Sequence, residues 1–171
     1  GQIQKDLKPS PPYRLLTIAR LTAKKGLPTV LKAIKLLTGQ GLKLNHILIG
    51  DGDDRQKILA LIKELELTRV TQWLGTQPHH EVVKHYHNTD LFVLGCEVAP
   101  NGDRDGIPNV LLESMAMGVP VVATAISAIP ELVETEKTGL LVQPGQPKQL
   151  AEAMIRLLTD VRFKLAALIP A

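Results

Sequence analysis

The chain has 171 residues, of which 44% are hydrophobic and 3% aromatic, enough for one globular domain with a substantial core and too few for two large ones. Its 20 basic and 17 acidic residues give a formal charge of +3. This mild excess suits a small anionic ligand, but the clustered cations and stacking aromatics of a nucleic-acid surface are absent.

The single cysteine, Cys96, excludes an internal disulfide and indicates a reducing compartment. We find no signal peptide and no apolar run of about eighteen residues, so the sequence itself predicts no membrane crossing. We therefore expect a cytoplasmic domain, with membrane association only through another part of the protein.

The opening twelve residues are polar and contain three prolines, which is typical of a linker or the tail of a preceding domain. We expect residues 13–160 to form the domain and residues 161–171 to be a truncated C-terminal segment. Both ends suggest a piece of a longer protein.

Short apolar runs alternate with segments of helical hydrophobic period. We predict strands at 13–19, 42–49, 70–74, 90–94, 119–123 and 140–142. We predict helices at 28–37, 54–66, 79–87, 110–117 and 147–158. This alternation predicts a three-layer α/β fold, a Rossmann-like αβα sandwich with a parallel sheet of about six strands.

Polar loops follow four of the predicted strands, at 20–26, 50–53, 75–78 and 95–108. The carboxyl ends of parallel strands lie at one edge of the sheet, where ligands of such folds bind. The loops should therefore converge, which is the strongest argument from the residues alone that the domain binds a ligand. Within the first loop, Arg20 and Lys25 together could clamp a diphosphate, although either alone could be a solvated surface charge.

The stretch 102–124 combines a polar loop, a short apolar helix and a β-branched strand. Pro108 should stop a helix from extending backwards, which makes Asn109 the expected N-cap, and Gly118 should end the helix in a left-handed conformation. A helix N-terminus offers unpaired N–H groups to a phosphate, and Gly106 allows close approach to the backbone.

Two carboxylates bracket this helix start, Asp105 on the loop and Glu113 about one turn inside the helix. A carboxylate at position 113 could accept hydrogen bonds from two neighbouring hydroxyls. On spacing alone the alternative stays open that this is an ordinary core helix with a solvated acidic loop.

The string DGIPNVLLESMAMGVPVVAT resembles the signature of glycosyltransferase family 4, an E-x7-E pair followed by A-x-G-x-P-V-V-A-T. Asp105 and Glu113 stand at the two acidic positions. ARLTAKKG is similar to the family's G-R-L-x-x-x-K-G element, IGDGDD to its hydrophobic-G-D-G turn and WLG to its F-L-G segment. IPELVETEKTGLLVQPG is similar to its P-E-h-V-x-x-x-x-x-G-h-L-V-x-P-G pattern. The resemblance covers nearly the whole chain, with the motifs in order.

The resemblance implies the C-terminal, donor-binding half of a two-domain GT-B enzyme that transfers sugar from a nucleotide diphosphate sugar with retention of configuration. It implies catalytic roles for Arg20, Lys25, Asp105 and Glu113, with no metal and no other cofactor. The implied donor-binding residues are Arg20, Lys25, Gly50, Asp51, Gly52, Leu74, Gly75, Asp105, Gly106, Ile107, Pro108, Asn109, Val110, Leu111 and Glu113. The acceptor would be held by an N-terminal domain missing here, so we expect little or no transfer by this chain alone. The DGIPN variant points weakly to exopolysaccharide synthesis.

Other interpretations carry less weight. His79, His80, His85 and His87 lie on one predicted helix but spread over several faces, which argues against a metal site. Cys96 is more typical of a small packing residue than of a nucleophile. A nucleotide-binding regulatory module without chemistry would need Glu113 but not Asp105, and a nucleotide-sugar epimerase would form its product without an acceptor.

Overall fold

The computed structural model describes residues 9–104, 106, 108–133 and 138–159. The strands are β1 (Tyr13–Ile18), β2 (Leu44–Ile49), β3 (Thr71–Gly75), β4 (Leu91–Val93), β5 (Val121–Thr124) and β6 (Gly139–Val142). The helices are α1 (Leu27–Gly39), α2 (Arg55–Glu64), α3 (His79–His87), α4 (Asn109–Ala116), α5 (Ile129–Leu132) and α6 (Pro147–Thr159). A 3-10 turn, Ala23–Lys25, precedes α1.

The six strands form one parallel sheet in the order β3-β2-β1-β4-β5-β6. This confirms the predicted Rossmann-like α/β fold. The chain builds the sheet outward from β1 in one direction and then returns to place β4 on the other side of β1. Such a reversal leaves a crevice at the carboxyl ends of the two central strands, because the connections on either side of it run to opposite faces of the sheet.

Both faces of the sheet are covered by helices, as the buried strands require. Neighbouring residues of β1 show the division, since Leu15 packs with α1, α2 and α6 on one face while Leu16 packs with α3, α4 and α5 on the other. Both leucines are fully buried. The result is a three-layer sandwich with a separate hydrophobic core on each side of the sheet.

A chain of polar side chains crosses the centre of the sheet from β3 to β4. The Thr17 hydroxyl donates to the Val93 carbonyl at 2.9 Å, so the His46 Nε2, 3.0 Å from the same hydroxyl oxygen, must carry a hydrogen and donate to it. His46 Nδ1 then accepts from the Thr71 hydroxyl at 3.0 Å. Complete burial lowers the pKa of His46 to about 3, so this histidine is neutral in the folded protein.

The predicted elements are confirmed, with shifted boundaries that have local causes. Val119 was predicted in β5, but its N–H donates to the Ser114 carbonyl at 3.0 Å and completes the end of α4. Leu42 was predicted in β2, but its N–H donates to the Leu37 carbonyl at 3.1 Å and closes α1. The 3-10 turn and the four-residue α5 were not predicted, because elements this short carry almost no periodicity.

The prediction that Asn109 caps α4 is wrong. Pro108 is the N-cap, with φ −68° and ψ 127°, and Asn109 is the first helical residue with its side chain exposed. The proline ring already holds φ near the value that a cap needs, and its carbonyl accepts from the Leu111 N–H at 3.0 Å. Gly118 follows the helix with φ 74°, as predicted.

Three predictions fall wholly or partly outside the described residues: the linker over residues 1–8, the end of the domain with the C-terminal segment over 160–171, and the roles of Asp105 and Ile107. Within the described part of the chain, none of the helices is both long enough and apolar enough to cross a membrane.

Candidate functional site

A cavity of about 520 Å³ opens at the carboxyl edge of the sheet, in the crevice that the strand order creates. It is lined by the ends of β1 and β2, the turn after β3 and the start of α4. Its lining includes seven of the predicted site residues: Arg20, Lys25, Gly50, Asp51, Pro108, Asn109 and Val110. Four segments distant in sequence therefore meet at one place, as the convergence of the polar loops predicted.

Backbone hydrogen bonds hold these loops to one another. The Ala19 N–H donates to the Ile49 carbonyl at 3.0 Å, and the Leu21 N–H donates to the Asp51 carbonyl at 3.1 Å. The Gly50 N–H donates to the Gly75 carbonyl at 2.8 Å. Because the bonds join the segments that follow β1, β2 and β3, the floor of the cavity is held together by the backbone of the protein itself.

Gly50 is required at its position in this floor. Its φ is 135°, and a β-carbon built there would lie 1.8 Å from the Ala19 carbonyl oxygen. No side chain fits between the two loops at this point. The glycine of the GDG motif thus has a steric role that brings the backbones of the β1 and β2 loops together.

The positive groups of the site face the cavity from two sides. Arg20 and Lys25 belong to the loop after β1, where the 3-10 turn ends at Lys25 with its N–H donating to the Thr22 carbonyl at 3.1 Å. Asn109 and Val110 are the first two residues of α4, so their N–H groups have no carbonyl four residues earlier within the helix to bond. Two cations and a helix N-terminus make the cavity attractive to an anion.

Six other predicted site residues do not line the cavity in this structure: Gly52, Leu74, Gly75, Gly106, Leu111 and Glu113. The Leu111 side chain is fully buried in the core beneath α4, and its N–H is already bonded to Pro108. Leu74 and Gly75 end β3, and their carbonyls accept from the Gln77 side chain and the Gly50 N–H, both at 2.8 Å.

Glu113 is half-buried on α4, one turn beyond the cavity wall at Val110. Its Oε2 lies 3.2 Å from the hydroxyl of Tyr86 on α3, and the same hydroxyl lies 3.2 Å from the Val110 carbonyl oxygen. The sequence interpretation of Glu113 did not include this contact. Val82 and Tyr86, four residues apart, are the buried residues of α3, and this spacing does not report a contact with Glu113.

Asp51 lines the cavity, but its carboxylate is engaged with the protein. It accepts from the Gly52 N–H and from two nitrogens of the Arg55 guanidinium, which lies 5.5 Å from the centre of the Trp73 ring. The Arg55 hydrogen bond, assisted by the Gly52 N–H, holds the pKa of Asp51 below its usual value. The Asp51 side chain therefore orders the turn after β2, and the i,i+4 spacing of Asp51 and Arg55 was the available signal for it.

The sequence interpretation assigned no role to three residues of the wall, although it expected the loop 75–78 at this edge of the sheet. Thr76, Gln77 and Val82 line the cavity after β3 and at the start of α3. Nothing in their residue types distinguishes them from ordinary loop and core positions.

The histidines of α3 do not belong to a metal site in the described part of the chain. The described residues contain no group of three or more His, Cys, Asp or Glu side chains arranged to hold a metal ion.

The sequence matches the family described as Glycosyl transferases group 1 over residues 2–167. The chain belongs to this family. A protein of Escherichia coli K12 named for glycosyl transfer in colanic acid biosynthesis, WcaL, is 38% identical over 146 residues, which cover 85% of this chain and 36% of WcaL. The chain thus spans about a third of the length of the curated relatives that it matches.

Solved structures of glycosyltransferases share the fold. The C-terminal domain of LpcC, a group 1 family protein of Francisella tularensis, has a TM-score of 0.77 at 23% identity and covers 96% of this chain and 85% of that domain. HepE of Anabaena, solved in complex with UDP and glucose, has a TM-score of 0.79 at 24% identity and covers 91% of this chain and 41% of HepE. The fold is therefore that of the C-terminal domain of a GT-B glycosyltransferase.

Proposed function

We propose that this domain binds the nucleotide diphosphate sugar of a retaining, family 4 glycosyltransferase. One observation carries the proposal: Arg20 and Lys25 share a cavity of about 520 Å³ with the N-terminus of α4, at the carboxyl edge of the sheet. Two cations and the N–H groups of a helix N-terminus match the charge of a diphosphate. The solved HepE complex contains UDP and glucose, which supports a donor of this class.

In this proposal the phosphates lie between the loop after β1 and the start of α4. The bond from the anomeric carbon to the diphosphate oxygen breaks, and the diphosphate leaves with the bonding electrons. An acceptor hydroxyl oxygen bonds to that carbon on the face that the diphosphate leaves, which retains the configuration, and its proton passes to an oxygen of the departing diphosphate. Arg20, Lys25 and the N–H groups of Asn109 and Val110 stabilise the charge that develops on the leaving diphosphate. These groups supply the stabilisation without a metal ion or other cofactor.

The remaining predicted residues bind the ribose, the sugar and the base of the donor. Glu113 binds the ribose hydroxyls, because a carboxylate can accept from both members of a vicinal diol. Asp105, with the backbone of residues 106–109, orients the sugar. The backbone of Leu74 and Gly75 lies towards the base. We place the acceptor on another domain of the protein, consistent with relatives much longer than this chain. The relationship to WcaL favours a role in exopolysaccharide synthesis, at the cytoplasmic side.

Calorimetric titration of the chain with UDP, GDP, ADP and their sugars tests the proposal. We expect one diphosphate to bind selectively, with at least about ten-fold weaker binding by Arg20→Ala, because a charged hydrogen bond is lost. Glu113→Ala should weaken binding similarly, and a chelator should have no effect. Arg69→Ala, at the opposite edge of the sheet, is the matched control. A folded chain that binds none of these nucleotides would contradict the proposal.

A second titration distinguishes a transferase domain from a regulatory nucleotide binder. Asp105→Asn should leave affinity for the nucleoside diphosphate unchanged and reduce the additional affinity of its sugar conjugate. Equal loss for both ligands, or no loss for either, would contradict a sugar-orienting role for Asp105. Incubating the sugar conjugate with the chain and no acceptor should yield no new sugar nucleotide, whereas an epimerase would produce one.

A further inference from the structure

The hydroxyl of Tyr86 connects two helices behind the cavity. Tyr86 is 2% exposed, and its ring packs against Phe92 of β4 with the ring centres 5.9 Å apart. Its oxygen is 3.2 Å from Oε2 of Glu113 and 3.2 Å from the carbonyl oxygen of Val110. A hydroxyl has one hydrogen, and both neighbours are acceptors, so Tyr86 can only donate here.

The donor is held in place and stays protonated. Burial, reinforced by the negative charge of Glu113, raises the pKa of Tyr86 well above its ordinary value. The Tyr86 ring is packed in the core between α3 and the sheet, whereas the Glu113 side chain has three rotatable bonds and is only half-buried. The buried phenol can therefore fix the orientation of the carboxylate by a hydrogen bond.

We infer that Tyr86 is a positioning residue that orients Glu113 towards the vicinal hydroxyls of the ribose of a nucleoside diphosphate. The inference rests on the proposed function and adds the group that sets the direction of the carboxylate. With one lone pair of Oε2 engaged by the phenol, the other oxygen and the remaining lone pairs are left to accept from the ribose hydroxyls. Val110, whose carbonyl contacts the same hydroxyl, lines the cavity directly, so the phenol also ties the ribose position to the wall of the site.

The test compares the ligand affinities of Tyr86→Phe and the wild-type chain. The ligands are whichever of UDP, GDP and ADP binds the wild type, and the 2′,3′-dideoxy analogue of that nucleotide. Removing the phenol oxygen should weaken binding of the diphosphate about five-fold, the effect of one lost hydrogen bond. Binding of the dideoxy analogue, which lacks the hydroxyls that Glu113 would accept from, should be unchanged. Tyr13→Phe is the matched control, because Tyr13 lies at the start of β1, at the other end of that strand from the site.

Each other result has a defined meaning. If Tyr86→Phe weakens the binding of both ligands equally, Tyr86 acts through the stability of the fold, and the inference is overturned. If it weakens neither, the phenol does not act on Glu113, and the inference fails while the proposed function stands. If the wild-type chain binds no nucleoside diphosphate, the proposed function fails and this inference fails with it.

A second measurement does not depend on the folding of a Tyr86 variant. The chain has two tyrosines, so Tyr13→Phe grown with 3-fluorotyrosine carries one fluorine label, at Tyr86. We expect its ¹⁹F resonance to shift when the diphosphate binds and to stay within its line width when the dideoxy analogue binds. A resonance that responds identically to both ligands would overturn the inference.

Discussion

A β-carbon placed on Gly26 would lie 1.7 Å from the carbonyl oxygen of Gly95. These residues belong to the loops after β1 and β4, the two strands that flank the crevice. The Glu97 N–H donates to the Lys24 carbonyl at 2.9 Å and joins the same loops again. The loop that carries Lys25 is therefore positioned by the backbone of the loop that leads to α4.

Gly26→Ala should destabilise the domain by at least about 3 kcal/mol, because it adds a backbone clash to the cost of a left-handed residue. Gly26 has φ 59°. Gly145→Ala is the matched control, since Gly145 has φ 70° with nothing within 4 Å of an added β-carbon, and it should cost only about 1 kcal/mol. Urea unfolding of both variants measures the difference. Equal losses of unfolding free energy in the two variants would mean that the loops after β1 and β4 separate easily.

The sequence was sufficient to predict six parallel strands, because buried apolar runs of strand length alternate with five helices of amphipathic period. It also predicted the loops that converge, since parallel strands place their carboxyl ends together. It did not predict contacts between side chains of different elements, such as Tyr86 with Glu113, because nothing in local spacing reports them. The Asn109 cap was misassigned because Pro108 has the extended backbone of the cap position, which makes Asn109 the first helical residue.

His46 should lower the free energy of unfolding of the domain in acid, and substitution of this one residue measures its contribution. Its pKa is about 3 when folded and near 6.5 when unfolded, so protonation favours the unfolded chain. Its contribution is fully present above pH 6.5 and is lost as the pH falls towards 3, by about 1.4 kcal/mol per pH unit. Unfolding free energies measured by urea titration from pH 7 to pH 4.5 contain this slope, and its size is the difference between the wild type and a variant that lacks the histidine.

His46→Gln removes the titrating group, so its free energy of unfolding should fall less steeply with decreasing pH than that of the wild type. His79→Gln, at an exposed position at the start of α3, should keep the wild-type slope. Parallel pH profiles for the wild type and His46→Gln would show that His46 is not held neutral in the folded domain.

Lys25→Met should weaken binding of the diphosphate about ten-fold, because the methionine keeps much of the apolar stem and removes the charge. The same variant should reduce the dependence of affinity on salt concentration, since fewer charges are neutralised on binding. Lys57→Met, on the exposed face of α2 away from the cavity, should change neither quantity. Titrations at two salt concentrations test this, and an unaltered salt dependence in Lys25→Met would place the phosphates elsewhere.

Trp73 should report occupancy of the cavity by its fluorescence. It is the only tryptophan in the chain, its Nε1 donates to the Gly50 carbonyl at 2.7 Å, and Gly50 lines the cavity. A ligand that contacts the turn after β2 should alter the field at the indole, which the Arg55 guanidinium already polarises. We expect a saturable change in emission with a midpoint equal to the calorimetric dissociation constant. Trp73→Phe is the control for emission that does not come from Trp73. Arg20→Ala should move the midpoint to a higher ligand concentration. Constant emission at ligand concentrations that saturate the calorimetric signal would mean that the diphosphate binds away from Gly50, and the phosphate site would then have to be sought outside this cavity.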